Sequence, residues 1–293
     1  MVTAGQREGE SGMSTDVPDG AARPSRAGRN LPAALAVGLL LGAGVVTALL
    51  TYRQSFIGIV ALACALSTVE LAGALRRGAG VRLALPPVLL GGQAMIWLSW
   101  PFELSGVLVA FAITTLGCLA WRVRLGVSGY LRDVTASVFT SAYVSMFAAF
   151  AAMLVLPADG GFRGLCFLIG VVASDTGGYA SGVFFGRHPM APRVSPNKSW
   201  EGFAGSLLAG LVAGVLSVPL LLGGPWWVGA FFGVAIVCSS TLGDLMESLI
   251  KRDLAIKDMG TLLPGHGGLM DRMDSLLPSA VVAWSTLFWF LPA

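Results

Sequence analysis

The fold is decided by apolar stretches such as residues 225–250, which read PWWVGAFFGVAIVCSSTLGDLMESLI. The first 19 of these residues, Pro225 to Gly243, carry no charged side chain. An α-helix rises about 1.5 Å per residue, so roughly 20 apolar residues cross the hydrocarbon core of a bilayer. The stretch therefore predicts a transmembrane helix, with the charged residues that follow Gly243 gathered at one end of it.

Eight further segments share this length and apolar character, so the sequence predicts about nine transmembrane helices. They lie near residues 33–51, 55–75, 82–100, 103–121, 134–156, 162–186, 201–223, 225–250 and 275–291. Of the 293 residues, 55% are hydrophobic and only 12% are charged, about half the charged share of an ordinary soluble domain. The composition therefore predicts an all-α polytopic membrane protein and excludes a soluble fold. Four isolated cysteines in these segments are predicted to be small buried hydrophobes: Cys64, Cys118, Cys166 and Cys238.

Basic residues concentrate in alternate connections between the predicted helices. Seventeen of the 19 Lys and Arg residues fall on one side of the membrane, and only Arg53 and Arg163 fall on the other. Because cytoplasmic loops are enriched in Lys and Arg, the N-terminus is expected in the cytoplasm and the C-terminus outside. The same loops explain the net charge of +3, so no nucleic-acid partner is predicted.

Two cytoplasmic connections, residues 195–202 and 243–275, are more polar than a simple connector requires. All three lysines, Lys198, Lys251 and Lys257, lie in them, although the chain contains 16 arginines. A lysine carries a compact charge with freely rotating donors, which suits a chain of phosphates. The placement favours a phosphate-binding site over the alternative of chance placement in polar loops.

Acidic residues gather beside these lysines. Asp244, Glu247 and Lys251 follow the spacing that places side chains on one face of a helix, together with Ser248. Asp271 and Asp274 begin the last predicted helix, and Asp175 lies inside the sixth. A carboxylate in the membrane is costly unless it is paired, bound to a metal or facing water. For any single acidic residue, an ion pair across helices is the alternative, whereas the five acidic residues together favour a site. Glu70, in the second helix, either pairs with an arginine or lines the cavity.

Carboxylates without a Cys or His ligand set favour Mg²⁺, which proteins usually share with substrate phosphates. The turn that contains His266, Gly267 and Gly268 brings backbone N–H groups close to an anion at the start of a helix. Ser199 is expected to cap the seventh helix. These residues predict a nucleoside-triphosphate site at the cytoplasmic membrane face, where a soluble nucleotide and a lipid headgroup can meet.

The run from Ser248 to Asp274 resembles the signature of the phosphatidate cytidylyltransferases, also called CDP-diacylglycerol synthases, without a departure across 27 residues. The segments Ser174–Gly177 and Ser195–Gly202 also resemble this family. Ser199 stands where the family often has Thr, and Gly178 stands where it often has Ala. The resemblance covers the C-terminal 120 residues closely, whereas the first five helices match it only in character.

The resemblance implies the reaction of CTP with phosphatidate to give CDP-diacylglycerol and pyrophosphate, in a membrane cavity open to the cytoplasm and to lipid. It implies Mg²⁺, and the surplus of carboxylates suggests a second cation of unknown identity. Asp244 and Asp271 are expected to be the metal ligands and, with Lys251 and Lys257, the catalytic residues. The expected substrate-binding residues are Ser195, Asn197, Lys198, Arg252, Asp258, His266, Gly267, Gly268, Arg272, Asp274 and Asp175.

The predicted organisation has three parts: a disordered cytoplasmic tail over residues 1–30, N-terminal helices 1–4 over 31–130, and catalytic helices 5–9 over 131–293. The expected location is the plasma (inner) membrane, with the site facing the cytoplasm. A homodimer is possible from the sequence, which does not decide the oligomeric state. A transporter is one alternative, although the polar residues concentrate at one membrane face. A CTP-dependent polyprenol or phytol kinase is another, and it would release CDP in place of pyrophosphate.

Overall fold

The computed structural model of the protein describes residues 31–260, 262 and 267–292, with only the backbone for 31–39 and 41. The predicted tail, residues 1–30, lies outside the described residues. The helices are α1 (Leu31–Thr51), α2 (Arg53–Ala79), α3 (Leu85–Val123), α4 (Tyr130–Met153), α5 (Gly160–Phe185), α6 (Trp200–Leu222), α7 (Trp226–Asp253), α8 (Met270–Met273) and α9 (Leu276–Phe290). The chain is therefore almost entirely α-helical in its described part, as its composition predicts.

Five of the described helices are long and apolar enough to cross a membrane, namely α2, α3, α4, α6 and α7. The chain is thus an all-α membrane protein. Helices α1, α5 and α9 coincide with three more of the predicted segments, and α9 has 15 residues, fewer than the usual span of about 20. The number of nine spans stays a prediction.

Two predicted helices, 82–100 and 103–121, form the single helical stretch α3, and the chain reverses direction inside it. Glu103 has φ 50° and ψ −137°, which breaks the helix two residues after Pro101. The two arms run antiparallel, because Gly91 in the first arm lies against Thr114 in the second. The predicted boundary between two helices is therefore present as a helical hairpin.

Small residues line the contacts of α6 with both neighbouring helices. Gly214 of α6 lies against the backbone of Gly229 of α7, and Gly233 of α7 lies against the backbone of Gly210. Neither Gly214 nor Gly233 has room for a Cβ without a backbone shift. Similar contacts join α6 to α5, through Gly177, Gly178, Ser181, Gly202, Gly205 and Ser206. Close approach through small residues is a common mode of helix association in membranes. Both α5 and α7, which carry Asp175 and Asp244, thus pack closely on α6 and also contact each other.

A two-stranded antiparallel hairpin, β1 (Pro189–Ala191) and β2 (Ser195–Ser199), precedes α6. The sequence predicted only a loop here, since neither short strand shows an apolar alternation. The Oγ atom of Ser199 accepts the N–H of Gly202 at 3.1 Å, which confirms the predicted cap of α6. The hairpin places Lys198 beside the ends of α5 and α7.

The four cysteines are free, and the prediction of burial holds for three of them. Cys64, Cys118 and Cys166 are buried. Cys238 is exposed on α7, so the prediction was wrong for this residue, because its face of the helix points outward from the bundle. Two clusters of buried apolar side chains form most of the hydrophobic core, one mainly from α2, α3 and α4 and the other mainly from α5, α7 and α9.

Candidate active site

Two adjoining cavities lie where α5, α7, α8 and the β-hairpin meet. The first, of about 270 Å³, is lined by Ser174, Asp175, Gly178, Tyr179, Gly182, Met190, Asn197, Lys198, Ser199, Gly202, Phe203, Ser206, Ser240, Thr241 and Asp244. The second, of about 320 Å³, is lined by Asp175, Lys198, Asp244, Ser248, Asp271, Arg272, Asp274 and Ser275. Asp175, Lys198 and Asp244 belong to both, so the two cavities form one polar site.

Lys198 and Asp244 form an ion pair in the middle of this site. The Nζ atom of Lys198, on strand β2, lies 2.6 Å from Oδ2 of Asp244, on α7. Their side chains are 26% and 29% exposed, so both remain accessible from the cavity. The pair joins the two connections that the sequence singles out as unusually polar.

Asp271 is held by a set of three donors. Its carboxylate accepts the N–H of Gly268 at 2.9 Å, the N–H of Met259 at 3.0 Å and Nζ of Lys251 at 3.1 Å. Gly267 adopts φ 84°, a left-handed conformation that favours glycine and allows the chain to turn back toward Asp271. Asp271 is therefore fixed in orientation by its own loop before any substrate binds.

Lys251 bridges Asp271 to a second acid, Glu247. Its Nζ atom lies 3.2 Å from Oε2 of Glu247, whose side chain is fully buried. The spacing places Glu247 on the same helix face as Asp244 and Lys251, but the predicted site residues leave it out. Its location on that helix face was the sequence signal that could have identified Glu247 as a site residue.

Asp175 faces the site from α5. Ser240 of α7 donates a hydrogen bond to its Oδ1 at 3.3 Å, and Ser206 of α6 donates to the carbonyl of Ser174 at 2.7 Å. The structure thus brings four aspartates, Asp175, Asp244, Asp271 and Asp274, to the wall of one cavity. These acids lie far apart in the sequence and line the same cavity, and their roles stay a prediction.

Comparison with known proteins gives this arrangement a family. The sequence model of the cytidylyltransferase family matches residues 33–290. The chain belongs to the cytidylyltransferase family. It is 50% identical over 278 residues to a phosphatidate cytidylyltransferase of Mycobacterium leprae, with 89% of each chain covered. It is 48% identical over 280 residues to one of Mycobacterium bovis, with 91% of each covered, and 43% identical over 139 residues to one of Haemophilus influenzae, with 46% of this chain and 48% of the other covered.

Of the other predicted site residues, only some line the cavity among the described residues. Asn197 lines it, whereas Ser195 pairs with Ala191 within the hairpin. Arg252 is exposed, and its Nε donates to the carbonyl of Val194 at 3.2 Å, so it ties α7 to the hairpin. Lys257 and Asp258 lie exposed on the loop after α7, with Asp258 next to Gly267. His266 lies outside the described residues.

The donor set suits a hard cation shared with a nucleotide. Within the described residues, no group of three or more His, Cys, Asp or Glu side chains is arranged to hold a metal ion. Mg²⁺ does not need such a group, because proteins commonly bind it through one or two carboxylates together with substrate phosphates and water. Asp244 and Asp271 line the same cavity, so these residues fit Mg²⁺ that binds together with a nucleotide.

Proposed function

We propose that the protein transfers CMP from CTP to phosphatidate, giving CDP-diacylglycerol and pyrophosphate. The observation that carries the proposal is the single cavity in which four aspartates meet Lys198 and Arg272. Two polyanionic substrates require such a mixture, since cations hold their phosphates while carboxylates hold a divalent ion. The names of the relatives, phosphatidate cytidylyltransferase, support the same reaction.

The transfer needs no nucleophilic side chain. A phosphate oxygen of phosphatidate attacks the α-phosphorus of CTP, forming the new P–O bond of the diphosphate. The bond between the α-phosphorus and the oxygen that bridges to the β-phosphorus breaks, and pyrophosphate leaves with the electron pair. The protein acts mainly by holding the two substrates in line and by stabilising charge.

Lys198 and Lys251 neutralise the phosphates of the two substrates. Each now lies within 3.2 Å of an aspartate or glutamate oxygen, and a substrate phosphate also offers negatively charged acceptor oxygens. Arg272 faces the same cavity. Lys257 and Arg252 lie at the exposed margin, where they attract anions entering from the aqueous side.

Asp244 and Asp271 would hold Mg²⁺, and Asp175 and Asp274, which line the same cavity, would hold a second cation. Bound Mg²⁺ supplies neutralisation of the nucleotide phosphates and of the leaving pyrophosphate. The N–H groups of Met259 and Gly268 keep the Asp271 carboxylate turned toward the cavity. Asp271 therefore does not reorient when substrate arrives.

The site faces the cytoplasm of a nine-span protein in the plasma membrane, with the N-terminus inside and the C-terminus outside. The charge pattern supports this orientation, since 17 of 19 basic residues lie on the proposed cytoplasmic side. The first cavity has an apolar side formed by Met190, Phe203 and Tyr179, and Tyr179 is 75% exposed. This side gives the acyl chains of phosphatidate access from the bilayer.

The test is a defined assay with the purified protein, phosphatidate in mixed micelles, CTP and Mg²⁺. We expect equimolar CDP-diacylglycerol and pyrophosphate, and neither product when phosphatidate or Mg²⁺ is omitted. Release of CDP with a phosphorylated lipid would instead identify a kinase. Absence of any lipid-dependent turnover of CTP by folded protein would contradict the proposal.

A further inference from the structure

Glu70 is an acidic side chain on α2 that the proposed chemistry leaves unused. Helix α2 is apolar and long enough to span a membrane, where a carboxylate is costly unless it has a partner. The sequence offers an arginine or the cavity as its partner. In the structure its partner is instead the backbone of the loop that carries Asp271.

The contact joins residues 200 positions apart. Oε2 of Glu70 accepts the N–H of Met270 at 2.8 Å. Two glycines approach the same carboxylate: the three atoms nearest to a Cβ on Gly260 would all belong to Glu70, and a Cβ on Gly268 would lie 2.7 Å from Oε2. A side chain at either position would push the loop away from α2.

Asp271 lies on the other side of this backbone. A Cβ on Gly268 would lie 2.9 Å from Oδ2 of Asp271, so the two carboxylates flank one glycine. Asp271 takes its hydrogen bonds from the N–H groups of Met259 and Gly268, which are one or two residues from the groups that Glu70 contacts. A shift of the backbone at Glu70 would therefore move the donors that orient Asp271.

Two turns further along, α2 contacts the same loop again. Nη2 of Arg77 donates to the carbonyl of Met259 at 3.2 Å. Gly78 lies against Leu254, close enough that a Cβ would meet the Leu254 carbonyl oxygen. Helix α2 thus contacts the connection between α7 and α8 at three places: at Leu254, at Met259–Gly260, and at Gly268–Met270, where α8 begins.

We propose that Glu70 is a positioning residue of the active site: it fixes the backbone that orients Asp271 without touching substrate. The inference rests on the catalytic role proposed above for Asp271. It assigns to a helix of the N-terminal part a function in the geometry of the C-terminal site.

The first test compares three variants of the purified full-length protein: Glu70→Ala, Glu70→Gln and the control Ser67→Ala. Thermal melting measures the folded fraction of each variant, and kcat is calculated per folded molecule. Ser67 is buried on the same helix, and its hydroxyl has no hydrogen-bond partner among the described residues. We expect Glu70→Ala to lower kcat at least about tenfold, with KM for CTP changed by less than about threefold. Glu70→Gln keeps an acceptor oxygen, so it should restore kcat to within about threefold of the wild type, and Ser67→Ala should leave kcat unchanged.

The second test is a double-mutant cycle with Gly260→Ala. Gly260 does not adopt a positive φ, so the added methyl group acts through its contact with Glu70. We expect Gly260→Ala alone to lower kcat at least about fivefold, and to cause less than about a twofold further loss in the Glu70→Ala background. If Glu70→Ala does not accumulate as folded protein, the test uses Glu70→Gln with and without Gly260→Ala. Wild-type kcat in Glu70→Gln, together with a lower kcat after Gly260→Ala is added, supports the positioning role. An unchanged kcat after Gly260→Ala is added contradicts it.

Where Glu70→Ala folds, two results would overturn the proposal: wild-type kcat in this variant, or fully multiplicative losses in the cycle. An inactive wild-type protein would contradict the proposed function, and the positioning role would fall with it. An active wild type with an unaffected Glu70→Ala would contradict the positioning role alone.

Discussion

At the scale of single residues, the site holds its charges in pairs of opposite sign. Lys198 pairs with Asp244, and Lys251 lies between Glu247 and Asp271. Removing one partner from a poorly solvated pair leaves an uncompensated charge, which costs far more than an exposed pair contributes. These contacts compensate five charged groups in a bundle with few charges. Lys198, Asp244 and Asp271 also line the cavity.

Loss of either proposed metal-binding carboxylate should abolish turnover. Asp271→Asn and Asp244→Asn preserve shape but remove charge, so we expect each to lower kcat about 100-fold or more. Asp159→Asn is the matched control, because Asp159 pairs with Arg163 outside the site, at 2.7 Å. Rates are measured on membrane-extracted protein of verified amount; near-normal activity of either site variant would remove that residue from the metal site.

Lys198 should not tolerate arginine. Its Nζ atom lies 2.6 Å from Asp244, and a planar guanidinium cannot occupy the position of a compact ammonium. We expect Lys198→Arg to lower kcat/KM at least about tenfold. Arg193→Lys, on the exposed turn of the same hairpin, should have little effect. A silent Lys198→Arg would show that the concentration of lysines in this region is accidental.

At the scale of elements, glycine contacts set the distance between the helices that carry the acids. Gly214 of α6 lies against the backbone of Gly229 on α7, so α7 cannot tilt or slide without losing this fit. The gain per contact comes from van der Waals packing, since lipid offers no hydrophobic drive for helix association. The positions of Asp175 and Asp244 therefore depend on residues that carry no chemistry.

A large side chain at this contact should destabilise the bundle. Gly214→Leu is expected to cost about 2 kcal/mol or more, since overpacking forces backbone shifts, and to lower the melting temperature in detergent. Gly58→Leu on α2 is the control, because nothing lies within 4 Å of a Cβ built at Gly58. Equal melting temperatures for the two variants would show that the α6–α7 contact is not tight.

The elements that sequence predicts are those governed by local pattern. Apolar runs locate the helices, and Ser199 followed by Glu201 identifies the start of α6, as the N-cap hydrogen bond confirms. The sequence also locates the chain reversal at Glu103, because this acidic residue and Pro101 interrupt the apolar run. In each case the signal lies within a few residues of the structure it specifies.

The rest depends on contacts between distant residues. The β-hairpin pairs Ala191 with Ser195 through the backbone, which side-chain pattern does not reveal. Glu70 meets Met270 across 200 positions, so its role requires knowledge of which helix packs on the loop. The six-residue π-helical turn Ser141–Met146 within α4 likewise leaves no periodic signal.

At the scale of the whole molecule, charge is divided between orientation and chemistry. In the proposed topology most arginines lie in alternate connections and orient the bundle. The three lysines lie in two of these connections, and Asp175, Asp244, Asp271 and Asp274 line one cavity. Contacts of Glu70 and Arg77 with the loop after α7 cross the predicted boundary between residues 130 and 131. The N-terminal helices therefore form part of the frame of the site.

The orientation makes a direct prediction about the C-terminus. The proposed nine spans, with the N-terminus inside, would place the C-terminus outside. Alkaline phosphatase fused after Ala293 should therefore be active, and green fluorescent protein fused at the same position should not fluoresce. Green fluorescent protein fused to the N-terminus should fluoresce. A fluorescent C-terminal fusion with inactive phosphatase would contradict the nine-span topology.

Transfer of CMP to phosphatidate can be followed through the phosphorus atoms of CTP. Parallel reactions use CTP labelled at the α- or the γ-phosphorus, with purified protein, phosphatidate and Mg²⁺. We predict that α-label enters the lipid fraction as CDP-diacylglycerol and that γ-label appears only in pyrophosphate. Entry of γ-label into lipid, with α-label left in soluble CDP, would contradict the account.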